Sequence, residues 1–223
     1  MAYFQANTNT YASVEKLREI YFSVLEFPEI CGISIGTRAD CLQEDIIDLL
    51  RELNTRTRLT IELGMQTIHE NTIKKINRCY SHKEFLSGYY RLKENNIRTC
   101  LHIINGLPDE SQEMMIETAG QIAEICPDAL KIQMLHVIRN TPLEKLYNAG
   151  KFRLLSRDEY INIVVKQLEV LPPETVIERI TGDGDKSKLV APLWSADKIS
   201  VLGGIDKKLA ELDTWQGKFY HSM

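Results

Sequence analysis

The sequence predicts an α/β fold built on a parallel sheet, and three observations point to it. β-rich runs alternate with helical patterns along most of the 223 residues, the arrangement that lays helices over the faces of a parallel sheet. Two of these runs, in residues 59–79 and 102–111, end in glycine followed by polar residues and then a helical pattern. Polar groups therefore gather at the carboxyl ends of strands, where α/β proteins hold their chemistry. Neither a low-complexity linker nor a second hydrophobic core is visible, so the chain reads as one core over 1–181 with a carboxyl-terminal extension over 182–223.

Residues 3–6 read as a short strand, and Asn7, Thr8, Asn9 and Thr10 as a polar loop able to cap a helix over 13–25. A strand over 30–35 ends at Gly36, and the loop Thr37-Arg38-Ala39-Asp40 leads into a helix over 42–53 with apolar residues at helical spacing. The next strand covers 59–63 and ends at Gly64, followed by helical segments over 68–76 and 83–95 and a strand over 97–104. After Gly106-Leu107-Pro108, the Asp109 and Ser111 turn starts a helix over 112–125, which Pro127-Asp128 breaks. A strand over 129–135 follows, and then the rhythm changes: Thr141-Pro142 opens a short helix ending near Gly150, and Ser156 begins another reaching about Leu171. Pro172-Pro173 stops it before a β-like stretch over 175–180, and the remainder is loop-rich with one helix over 206–212. The first strand has no preceding partner element, so the chain reads as truncated at its amino end.

A formal net charge of −4 gives no global attraction for nucleic acid, although Lys188, Lys198, Lys207 and Lys208, in the region 186–218, form either a local basic face or a solvated helix surface. No apolar run approaches the roughly 20 residues needed to span a bilayer, and the first residues lack the regions of a signal peptide, so the expected location is the cytoplasm. The five cysteines are scattered, the closest pair being Cys31 and Cys41. They offer neither a disulfide framework nor a short-spaced metal clip.

Glu62, Gly64 and Gln66 form E-x-G-x-Q at a strand end. Alternation turns Glu62 away from Ile61 and Leu63, toward the lumen if the sheet curls into a barrel. A carboxylate there needs hydrogen-bond partners; otherwise Glu62 is exposed or paired with a lysine. His102 either lines the same lumen or fills core. Arg38 and Arg78 lie near strand ends and match a carboxylate's bidentate geometry, the alternative being exposed surface arginines. Gln133 and His136 bracket the end of the strand over 129–135, where each serves a ligand or the backbone. The D-G-D at Asp183 to Asp185 lacks the other ligands of a calcium loop and reads as a turn.

Taken in order, T-I-E-L-G-M-Q-T-I from Thr60, N-R-C-Y-S-H from Asn77, H-I-I-N-G-L-P-D-E-S from His102 and L-K-I-Q-M-L-H-V-I-R-N-T-P-L from Leu130 closely resemble successive strand ends of the radical S-adenosylmethionine (SAM) superfamily. The branch the chain resembles is the Elp3-like one, and within it a bacterial group related to tRNA wobble-uridine modification proteins. The resemblance covers nearly the whole chain. It implies a partial (βα)6 TIM-like barrel, here missing its first βα unit, that holds a 4Fe-4S cluster and S-adenosylmethionine and generates a 5′-deoxyadenosyl radical.

By motif position, the resemblance puts Gln66 near the cofactor's ribose and Arg78 near its methionine carboxylate. Ala6, Asn7 and Thr8 stand where relatives carry a glycine-rich loop for the methionine amino group. His136 and Val137 stand where backbone meets adenine, and His102 where some relatives have a ribose-binding aspartate. Glu62, Arg38 and Gln133 are the substrate-side candidates. The cluster needs thiolates at C-x3-C-x2-C spacing, which none of the five cysteines satisfies; the loop is expected upstream of Met1, so this chain is expected to have no metal ligands and to be inactive alone. The implied partners are tRNA and a reductant such as flavodoxin or ferredoxin, with no membrane. Two other readings are a small-molecule biosynthetic radical enzyme, which the net acidity favours over tRNA, and a cluster-less module binding a nucleotide or RNA.

Overall fold

The computed structural model describes residues 1–5, 7–182, 184 and 187–220. Ala6, Asp183, Asp185 and Lys186 lie outside them, and with them most of the turn expected over 183–185. Eight strands and eight α-helices are found among the described residues, in the order β1 (Ala2–Phe4), α1 (Val14–Ser23), β2 (Gly32–Thr37), α2 (Glu44–Arg56), β3 (Arg58–Gln66), α3 (Glu70–Lys75), α4 (His82–Glu94), β4 (Arg98–Asn105), α5 (Gln112–Ile125), β5 (Ala129–Met134), β6 (Val137–Ile138), α6 (Pro142–Asn148), α7 (Arg157–Val170), β7 (Val176–Arg179), β8 (Leu189–Ala191) and α8 (Lys198–Glu211). The main sheet has the order β1-β2-β3-β4-β5-β7, and its pairings of β1 with β2, β2 with β3 and β5 with β7 are parallel. This is the α/β architecture predicted from the alternation of strands and helices. No helix among the described residues is long and apolar enough to cross a membrane.

The chain divides into two compact units, Met1–Met65 with Arg78–His102, and Gln66–Asn77 with Ile103–Met223. In the first, Ile33, Ile35, Leu59, Ile61 and Leu63 of the sheet are fully buried, as near-continuous apolar strands require when both faces are covered. Helix α2 buries Ile46, Ile47, Leu49, Leu50 and Leu53. It begins at Glu44, two residues later than its apolar spacing predicts, because Leu42 already lies in the core before the helical turn starts. Helix α4 starts at a capping box: the Ser81 hydroxyl accepts from the Glu84 amide while the Glu84 carboxylate accepts from the Ser81 amide. Its Gly88 sits so near the turn at Ala39 that an added Cβ would fall 2.3 Å from the Ala39 carbonyl oxygen.

In the second unit, α5 is capped by Ser111 and ends at Cys126, whose φ of 48° turns the chain out of the helix. Helix α7 has its own capping box, Ser156 with Glu159, and hydrogen bonds from Arg153 and the Ser156 amide pull the Glu159 carboxyl down to about 2. At its buried face Asn105 and Gln167 exchange reciprocal amide hydrogen bonds of 2.8 and 2.9 Å, and Gln167 also donates to the Met115 carbonyl at 2.9 Å.

Two features depart from the sequence reading here. Helix α8 begins at Lys198, eight residues before the predicted start, since the Asp197 carboxylate caps it by accepting from the Ser200 amide. The Gly203-Gly204 pair lowers its intrinsic propensity but lets it approach α7, where a Cβ on Gly204 would meet Ile161 at 2.5 Å. Strands β6 and β8, paired antiparallel, are too short to leave a periodic signal.

Candidate functional site

In the first unit the polar centre is Glu62. Strand register sets Tyr3 beside Ser34 and Ser34 beside Thr60, two residues before Glu62 on the same face of β3. The carboxylate is buried; it accepts hydrogen bonds from the Tyr3 hydroxyl at 2.8 Å and the Ser34 hydroxyl at 2.7 Å, and it lies in hydrogen-bond contact with His102 Nε2 at 2.8 Å. Each such bond to a charged group is worth about 1.5–3 kcal/mol, the scale needed to offset the cost of removing a carboxylate from water. Gly36 is the register partner of Glu62 on β2 and adds no side chain there. The exposed alternative for Glu62 is thus overturned, as is core filling for His102, which is half-buried and bonded to a carboxylate.

Arg78 is buried, which overturns the surface reading. Its Nε donates to the Tyr80 carbonyl at 3.1 Å and its Nη1 to the Met65 carbonyl, while the guanidinium stacks 4.6 Å from the Tyr80 ring centre. Arg38 stacks on the same ring at 5.3 Å and is half-exposed, with its fork spent on Asp40 at 2.9 and 2.6 Å. That pairing raises the Arg38 pKa further above its ordinary value. Tyr80 donates to the Gly64 carbonyl at 2.7 Å, and burial pushes its phenol up to about 12. The loop after β1 is organised by Asn9, whose side-chain amide donates to the carbonyls of Phe4 at 3.0 Å and Gly36 at 2.8 Å. Asn7, at φ 64°, and Thr8 are presented around it; Asn7 is exposed and Thr8 half-buried.

In the second unit Gln66 is half-buried and takes φ 63°, a left-handed residue ending β3. Thr67, fully buried, donates its hydroxyl to Glu110 at 2.5 Å, joining G-M-Q-T to G-L-P-D-E. Burial raises the Glu110 pKa against the opposing hydrogen bonds from Thr67 and Thr72. On β5, Gln133 shares a face with Lys131, which pairs with Glu178 at 3.7 Å. Val137 is buried in β6 opposite Ala191. His136 lies against Gly182 and Gly184, where an added Cβ would come within 2.6 and 3.0 Å of its ring. Its Nε2 is buried without a hydrogen-bond partner among the described residues, and burial lowers its pKa, favouring the neutral ring.

The structure therefore brings Glu62 together with His102, and Arg38 together with Arg78 around Tyr80. Tyr3, Ser34, Asn9, Tyr80 and the Thr67 to Glu110 bond are additions that the sequence reading missed. Parity along the strands was the available signal for Ser34. A 4Fe-4S cluster does not fit the residues present: among the described residues no group of three His, Cys, Asp or Glu can hold a metal, and Cys41 and Cys100 are buried apart from any such group.

With a mainly parallel six-strand α/β sheet carrying polar groups on its strands and at their ends, the fold is that of the TIM-barrel-like radical enzymes. The Radical SAM superfamily model matches residues 2–122 and the Radical_SAM C-terminal domain model matches 127–211. The chain belongs to the radical SAM superfamily, with an Elp3-like relation. It is 48% identical to uncharacterized protein YtqA of Bacillus subtilis over 100% of this chain and 69% of that protein. It is 30% identical to Elongator complex protein 3 of Mus musculus over 74% of this chain and 30% of that protein. The structure of Elp3 from the archaeon Methanocaldococcus infernus, with an N-terminal deletion, superposes with a TM-score of 0.80 at 19% identity, over 96% of this chain and 54% of that one. The chain thus spans just over half the length of that structural relative.

Proposed function

We propose that this chain is part of a cytoplasmic radical SAM enzyme that modifies the side chain of the tRNA wobble uridine. The observation that carries the reading is the sequence likeness to Elongator complex protein 3 of Mus musculus, 30% identical over 74% of this chain. The two family models, over 2–122 and 127–211, support the enzyme class. A bound cluster and S-adenosylmethionine would supply a 5′-deoxyadenosyl radical; the reading assigns the cluster to none of the five cysteines of this sequence.

Residue by residue, the resemblance assigns Gln66 to the cofactor's ribose, Arg78 to its methionine carboxylate, Asn7 and Thr8 to its amino group, and the backbone of His136 and Val137 to adenine. Glu62 and Gln133 belong to the substrate side, as does Arg38 once Asp40 releases its guanidinium. The partners are tRNA and a small reductant such as flavodoxin or ferredoxin.

The test is the chain extended through the coding sequence on its amino-terminal side and reconstituted anaerobically. Brown cluster absorbance and 5′-deoxyadenosine are expected, and absence of both overturns the enzyme class. Modified nucleosides from cells with and without the full-length gene then judge the substrate: loss of a wobble-uridine modification is expected, and an unchanged profile removes tRNA.

A further inference from the structure

Three protons converge on Glu62. Those of Tyr3 and Ser34 come from hydroxyls, and the third partner is the Nε2 nitrogen of His102, 2.8 Å from Oε2. An ionised carboxylate only accepts, so Nε2 carries the imidazole proton, and in the neutral ring Nδ1 is left with a lone pair. Among the described residues Nδ1 has no hydrogen-bond partner, and 22% of the His102 side chain is exposed against 5% for Glu62. The donors thus converge on a buried carboxylate, and the free acceptor is left on a side chain that solvent reaches.

We infer that His102 Nδ1 recognises a hydrogen-bond donor on the substrate, and that Glu62 is the positioning residue that fixes this tautomer. The inference rests on the reading above and moves His102 from the cofactor's ribose to the substrate. It also names the class of group that fits: an imide or amide N–H, such as the ring N–H of uracil. Phosphate and carboxylate oxygens, which bring only lone pairs, are turned away from the neutral ring.

Imidazole nitrogen NMR on the histidine-labelled chain tests this without a cluster, with H102N assigning the signals. Nε2 is expected to be protonated and Nδ1 bare, and this preference is expected to be lost in Glu62→Gln or Glu62→Ala. Uridine is expected to move the Nδ1 resonance, whereas uridine methylated at its ring N–H binds about fivefold more weakly, the loss of one hydrogen bond, and leaves Nδ1 in place. S-adenosylmethionine is expected to leave it in place too.

A proton on Nδ1, an unchanged tautomer in both Glu62 variants, no response to uridine, or an equal response to the methylated nucleoside or to S-adenosylmethionine overturns the inference. The nucleoside comparison in cells stays separate: a lost modification with a silent Nδ1 overturns only the role of His102. A persistent modification with a responsive Nδ1 supports that role and removes tRNA as the source of the donor.

Discussion

Thr67 donates its hydroxyl to Glu110 across 2.5 Å, and this one bond ties the segment following β3 to the segment following β4. Burial raises the Glu110 pKa, so the folded state favours the protonated acid. Stability from this group is present below the ordinary carboxylate range and is lost as pH rises through its raised value. Glu110→Gln keeps an acceptor for Thr67 without a charge to desolvate. Its denaturation midpoint should exceed the parent's at neutral pH and match it near about pH 4, where both carry neutral groups. Urea melts across that range check it, and a constant difference at all pH values would refute the assignment. Thr67→Val removes the donor and should cost about 1–3 kcal/mol.

Asn105 and Gln167 satisfy one another inside the second unit. Either single change to leucine strands the partner's amide and should cost about 1–3 kcal/mol, while the double change should cost less than the sum. A double-mutant cycle by chemical denaturation reads the coupling, and simple additivity would show that the pair does not act as a unit.

Glycines within helices separate packing from propensity. Gly88→Ala gains helix propensity but drives a methyl into the Ala39 carbonyl, and should destabilise by about 1–3 kcal/mol. Gly120→Ala in α5, with nothing within 4 Å of the new carbon, should instead stabilise by about 0.5–1 kcal/mol. Thermal melts of the two variants should move in opposite directions.

Arg78 is held by two carbonyls and an aromatic face at once, a geometry a planar fork supplies and an ammonium does not. Arg78→Lys should therefore lose about 2–4 kcal/mol, combining a broken buried network with lost stacking. Retention of parental stability would mean that the guanidinium is not what holds the Met65 and Tyr80 carbonyls.

The order of strands and helices was legible because each signal is local. Ser111 and Ser156 announce the starts of α5 and α7, and alternation turns Glu62 away from Ile61 and Leu63; the caps of α1 and α4 are Ser13 and Ser81, where the sequence reading offers the loop over 7–10 for the first and none for the second. Helix α5 falls on its predicted bounds. The polar centre was legible only in part. Glu62 and His102 were both marked, but their bond spans 40 positions in sequence, and the contributions of Tyr3 and Ser34 depend on strand register, which no short window contains. Arg78 shows the same limit, since an arginine turned inward to serve carbonyls has the composition of one turned outward.

The three-residue strand β1 pairs with β2, and the Asn9 amide fastens the chain that follows it to Phe4 and Gly36. Tyr3, which supplies one of the protons on Glu62, rides on that strand. A side chain with no chemistry of its own thereby sets how many protons a distant carboxylate sees. A ligand or substitution that loosens Asn9 would be felt at Glu62 as the loss of one hydrogen bond.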